Sequence, residues 1–125
     1  MQHKFNHLDR LRLPPDVPDV QHQLVNVLDT LTNFGAERII AFGSCVHGTP
    51  SRHSDIDLCV VLQNNGNHAM PGYEARQAIF KTRPRMAIDL LVRTPDKWAL
   101  DLKAPFGIME EVLNNGVVLY ERRSA

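Results

Sequence analysis

The chain is predicted to adopt an α+β (mixed α/β) fold, a small mixed β-sheet flanked by helices. Three observations carry this expectation. Short apolar runs at 38–42, 55–62 and 86–92 stop at glycine, at a polar loop or just before a helix-capping threonine, as buried strands do. Around and between them, apolar residues recur at three- and four-residue steps, the period of amphipathic helices. The 125 residues fit one domain, and with 43% apolar and 22% charged residues the chain can bury a core. Aromatics make up only 6%, so Leu, Ile and Val must build that core.

The elements follow in order. Residues 1–18 are expected to form an extended, loosely held N-terminal arm, because Pro14, Pro15 and Pro18 preclude a regular helix. Residues 19–125 form the domain. From Asp19 as N-cap, the spacing of Val20, Leu24, Val27, Leu28, Leu31 and Phe34 predicts a helix closed by Gly35. Arg38 to Phe42, stopped by Gly43, is a buried strand, and Asp55 to Leu62 a second. Residues 63–72, with Asn64, Asn65, Gly66, Asn67, Pro71 and Gly72, form an exposed loop. A helix runs from Tyr73 to Thr82, punctuated by Pro84, and Met86 to Val92 is a third strand. Thr94 caps the next helix, with Pro95 at its first position. Pro105 divides that helix from a last one ending near Asn114-Asn115-Gly116, and Val117 to Tyr120 is a short edge strand. Trp98, Leu102 and Ile108 belong to the core or to an interface.

Composition narrows the partners. Fourteen basic residues balance fourteen acidic ones, so no bulk field draws DNA, RNA or an anionic membrane. Any phosphate chemistry must be local or bring its own cation. The basic group Arg76, Lys81, Arg83 and Arg85 reads more readily as a solvated face than as a nucleic-acid groove. No apolar stretch approaches the roughly 20 residues of a membrane helix. The polar start, Met1 to Arg10, lacks the apolar centre of a signal peptide. Cys45 and Cys59 lie in apolar surroundings without a CxxC spacing, which fits buried free thiols in a reducing compartment. A cytoplasmic protein is expected.

The chemistry concentrates in one constellation: Gly43-Ser44, ten further residues, then Asp55-Ile56-Asp57. Side chains alternate along a strand, so Asp55 and Asp57 point the same way with Cα atoms roughly 6.6 Å apart. Two carboxylates so close repel unless a cation sits between them, and hard oxygen ligands suit Mg²⁺. Gly43 lets the backbone turn sharply towards a phosphate, and Ser44 offers a hydroxyl and a backbone N–H. If Ser44 opens a short helix through His47, its start favours an anion. A third acid, Asp89, sits in the run Met86 to Val92, where a charge must be paired, with Arg85 or Arg93, or bind metal. Three carboxylates match the two-metal logic of phosphoryl transfer.

The segment FGSCVHGTPSRHSDIDLCVV resembles the metal motif of the DNA polymerase beta nucleotidyltransferase superfamily, and RMAIDLLV resembles its third-aspartate strand. The chain's size and its closing VLNNGVVLYER are similar to the minimal nucleotidyltransferases of prokaryotes. Chance supplies the five fixed spacings on the order of once per thousand such chains. The resemblance implies a palm-like nucleotidyltransferase fold and NTP-dependent, Mg²⁺-dependent transfer of a nucleoside monophosphate, AMP from ATP above all, to a hydroxyl. Gly43, Ser44, His47, Arg52 and Ser54 would contact the nucleotide. Asp55, Asp57 and Asp89 would be catalytic and ligate two Mg²⁺ ions, with Asp89 on the ion that serves the acceptor. Many relatives carry Arg where His47 precedes Gly48; a neutral imidazole holds phosphate less well, and Arg52 or His53 is placed to substitute. The resemblance also implies a partner, a HEPN-domain toxin, with this chain as its antitoxin and a partner tyrosine as acceptor; homo- and hetero-oligomer both stay open. Two rivals stay open: a non-catalytic antitoxin acting by contact, and transfer to a small molecule such as an aminoglycoside.

Overall fold

In the structure, a computed structural model describing residues 4–48, 55–63 and 68–122, the chain runs α1 (Val20–Phe34), β1 (Ala36–Phe42), α2 (Ser44–His47), β2 (Ile56–Leu62), α3 (Pro71–Thr82), β3 (Ile88–Arg93), α4 (Pro95–Lys103), α5 (Ile108–Asn115) and β4 (Val117–Glu121). The sheet order is β3-β2-β1-β4. β1 is antiparallel to both β2 and β4, whereas β2 and β3 are parallel, so the sheet is mixed as predicted. A parallel pair needs a crossover, and α3 supplies it.

Alternation along the strands divides the core in two. Ile56, Leu58, Val60 and Leu62 of β2 share one face and pack under α1 and α3, where Leu24, Val27, Leu28 and Leu31 of α1 are fully buried. Each such Leu contributes about 1.5–3 kcal/mol by leaving water. Cys59 faces the other side and joins Ile40, Phe42, Met109 and Val112 in a smaller cluster beneath α4 and α5. The same alternation places Asp57 on this second face, at the end of the sheet where that apolar cluster stops. Burial pushes the Cys59 thiol up to about 12, and both cysteines are buried and free.

Most predicted elements are present, with shifted ends. Gly35 ends α1 at φ 121°, a conformation that suits glycine. Asp19 takes a left-handed conformation (φ 50°) and makes no side-chain capping bond, contrary to its expected role. Thr94 does cap α4, accepting from the Lys97 N–H at 3.2 Å. α3 starts at Pro71, inside the predicted loop, because proline's fixed φ suits a first helical position. β2 begins at Ile56 and leaves Asp55 outside, and β3 begins at Ile88. Trp98 is half-buried against the smaller cluster, but Leu102 and Ile108 are exposed and are not core.

Residues 4–18 are irregular apart from a turn of 3-10 helix at Leu8–Arg10, yet they are not loosely held. Phe5 and Leu11 sink into the main core, the Asn6 N–H donates to Leu119 O at 2.8 Å, and the Arg12 N–H donates to Cys45 O at 2.7 Å. Prolines forbid a helix here, but they do not prevent apolar side chains from docking.

Candidate active site

Gly43 is the hinge of the site. It leaves β1 at φ 75° and ψ −149°, a region open essentially to glycine alone. A Cβ on Gly43 would stand 2.3 Å from Asp57 Oδ2, so the missing side chain is where the Asp57 carboxylate fits. The register explains this contact, since Phe42 pairs with Asp57 across β1 and β2. Ser44 opens α2, and Val46 and His47 donate back to Gly43 O at 3.0 and 3.3 Å. As at any helix start, the N–H groups of Ser44 and Cys45 have no partner within the helix.

Asp57 and Asp89 are direct neighbours in the parallel register of β2 and β3, so their side chains leave the same face side by side. Asp57 is half-buried and Asp89 is exposed. Exposure is how Asp89 tolerates its apolar strand: solvent reaches it at the sheet edge. It does not pair with Arg93, whose guanidinium is held by Asp101 of α4 through Nε–Oδ2 (2.8 Å) and Nη2–Oδ1 (2.9 Å). Asp55 is exposed, one residue ahead of β2. The Asp57 carboxyl is held above its ordinary range first by burial, then by the charges of Asp89, Asp55 and Glu111. Four carboxylates therefore bear on one point, and three of them are the predicted trio.

Glu111 is the residue that sequence reasoning missed. It lies on α5 between Met109 and Val112, both buried against the sheet, and its Oε1 stands 2.8 Å from His47 Nε2. An acid in the sheet-facing turn of a short helix was the available signal. His47 is thus engaged by a carboxylate and is more than half exposed, its side chain at 54%. Arg12, also unforeseen, braces α2 from behind, since its backbone N–H bonds Cys45 O and its Nη1 donates to Gly48 O at 2.8 Å. Arg52 and Ser54, and with them His53, lie outside the described residues.

Among the described residues, no three His, Cys, Asp or Glu side chains already stand as a preformed cation cage. The donor set still fits a hard divalent cation, being all carboxylate oxygen, and the crowding that raises Asp57 is what a cation relieves. No helix among the described residues is long and apolar enough to cross a membrane. The sequence model of the family described as "Polymerase beta, Nucleotidyltransferase" matches residues 23–125. Among curated proteins, none matches the chain.

Proposed function

Because the chain belongs to the polymerase beta family of nucleotidyltransferases, we propose that it moves a nucleoside monophosphate, AMP from ATP in the first instance, onto a hydroxyl acceptor. The observation that carries this is the register setting Asp57 beside Asp89, at the sheet end where Gly43 turns. Asp55, Asp57 and Asp89 would hold Mg²⁺. When bound, the ions neutralise the triphosphate and polarise the phosphoryl oxygens. The chain's own residues do the rest. Gly43 brings backbone close to the phosphates, and the Ser44 hydroxyl and N–H bind them. Asp89, open to the edge, orients the acceptor hydroxyl and accepts its proton as the oxygen attacks the α-phosphorus. The bond to the β-phosphate oxygen breaks and pyrophosphate leaves.

The likeness of the closing VLNNGVVLYER segment to minimal prokaryotic nucleotidyltransferases supports a protein acceptor in the cytoplasm, a tyrosine of a HEPN-domain toxin that this chain silences as antitoxin. A second reading, neutralisation by contact alone, is favoured by the engagement of His47 with Glu111 where many relatives place a phosphate-binding Arg. Incubation with α-labelled ATP, Mg²⁺ and a HEPN-domain partner separates the two. Label on the partner, absent with Asp57→Asn, supports transfer. An unlabelled partner that is nonetheless inhibited, with no thermal shift by Mg·ATP, overturns it.

A further inference from the structure

Outside the carboxylate cleft, the least ordinary surface lies where α3 ends and β3 begins. A groove of about 490 Å³ opens there, floored by Ile79, Met86 and Ile88 and rimmed by Arg76, Phe80 and Arg83, with no acid in its lining. Phe80 is 76% exposed, an unusual position for a phenyl ring beside an apolar floor. Arg83 closes α3 with φ 53°, a strained conformation for a residue with a side chain. Among the described residues, the side chains of Lys81, Arg83 and Arg85 make no hydrogen bond or ion pair, whereas Arg76 Nη2 donates to Leu90 O at 2.8 Å. An exposed ring, an apolar floor and one uncommitted cation, Arg83, thus meet in one place, with the charge of Arg76 beside them, while Lys81 and Arg85 line neighbouring hollows.

We propose that this groove docks an acidic polypeptide segment, seating one of its apolar or aromatic side chains against Phe80 and the floor, and a carboxylate on Arg83 within the positive field of Arg76. Charge complementarity selects an anionic occupant, and the apolar floor selects one with a large side chain. A nucleic-acid strand fits less well. The chain's net charge of zero supplies no field for a phosphate backbone, and Arg76 is already committed to β3. The location gives the groove its purpose. β3 is an edge strand whose inner side is filled by β2, and Ile88 of the groove directly precedes Asp89. A chain that reaches Asp89 over the β3 edge passes this groove on its flank. That purpose rests on the function proposed above; the docking does not.

The test is binding without transfer. A fluorescein-labelled glutamate–tyrosine copolymer is titrated with the full chain and followed by anisotropy, beside polyglutamate and a single-stranded RNA oligonucleotide. The copolymer should bind more tightly than polyglutamate. Phe80→Ala and Arg83→Glu should each weaken it about ten-fold. The thermal shift given by Mg·ATP, which reads the cleft on the other face, should be unaltered in both groove variants and shows that they fold. Copolymer binding that is absent, or equal in wild type and variants, overturns the proposal. So does RNA binding that exceeds copolymer binding and falls in the same variants, or self-association that Phe80→Ala abolishes. If the nucleotidyltransferase assignment fails instead, the Mg·ATP shift disappears with copolymer binding intact.

Discussion

Gly43→Ala perturbs the site through a single methyl. Two separate penalties follow from the structure. The backbone at φ 75° and ψ −149° is strained for any residue with a Cβ, at about 1–3 kcal/mol. The new methyl would also stand 2.3 Å from Asp57 Oδ2 and 3.2 Å from Cγ, so the carboxylate must move by about 1 Å, the gap to ordinary contact. Asp57→Ala removes both atoms and leaves Cβ at 3.5 Å, an ordinary contact. The double-mutant cycle therefore separates the two penalties. In urea unfolding, Gly43→Ala should destabilise the wild-type background more than the Asp57→Ala background, by a coupling energy of about 1 kcal/mol. The melting temperature of Gly43→Ala alone should fall by about 4 °C per kcal/mol. Nucleotidyl transfer should fall at least a hundred-fold, because a displacement of about 1 Å at a reacting group has that effect. Equal destabilisation in both backgrounds, or full activity in Gly43→Ala, would refute the close fit of glycine and carboxylate.

Five further outcomes are expected. Asp55→Asn and Asp57→Asn should abolish transfer with the fold intact, as checked by labelled-ATP assay and circular dichroism. The Asp57 pKa is raised on folding, so the native state binds the proton more tightly. Metal-free stability should thus fall as pH rises from the ordinary Asp range through the raised value, and Asp57→Asn should flatten that slope in pH-dependent denaturation. Mg·ATP together should raise the melting temperature more than either alone, by the equivalent of about 2.7 kcal/mol at a hundred-fold excess over Kd. Asp101→Ala strands the Arg93 guanidinium between α4 and β3 and should destabilise by about 3 kcal/mol in chemical unfolding. His47→Arg should tighten Mg·ATP binding at pH 8 in calorimetry, and more so combined with Glu111→Gln, which removes the carboxylate now facing residue 47; equal affinities throughout would take residue 47 out of the nucleotide site.

Much of the site was legible because its determinants are local. Glycine after an apolar run and serine next state a turn and a helix start, and strand alternation sets Asp57 on the face opposite Ile56 and Leu58, without reference to the rest of the chain. The capping Thr94 and the closing Gly35 were readable for the same reason. What escaped was set by partners distant in sequence. Nothing near Asp89 says that β3 is the edge, so its access to solvent could not be read from the apolar run that carries it. Glu111 is a single acid on a helical face that also carries apolar residues, and its role depends on His47, 64 positions away. The docking of Phe5 and Leu11 escaped because proline-rich composition reports what a backbone cannot do and is silent on what its side chains find.

The three aspartates are not anchored alike. Asp57 lies on β2, which is hydrogen-bonded on both sides, while Asp89 lies on β3, which is bonded on one. A peripheral strand opens at lower free energy than a central one. A slip of one position along β2 would turn Asp89 to the opposite face. Catalytic competence therefore has its own, lower melting point. On warming, the protein should fall silent while its spectroscopic signature is still native, with amides of Ile88–Arg93 exchanging ahead of those of Ile56–Leu62. An assay run well below the unfolding transition would then be reporting the attachment of one strand, and a stabilising change anywhere on the α3–β3 contact would extend the working temperature without touching the chemistry.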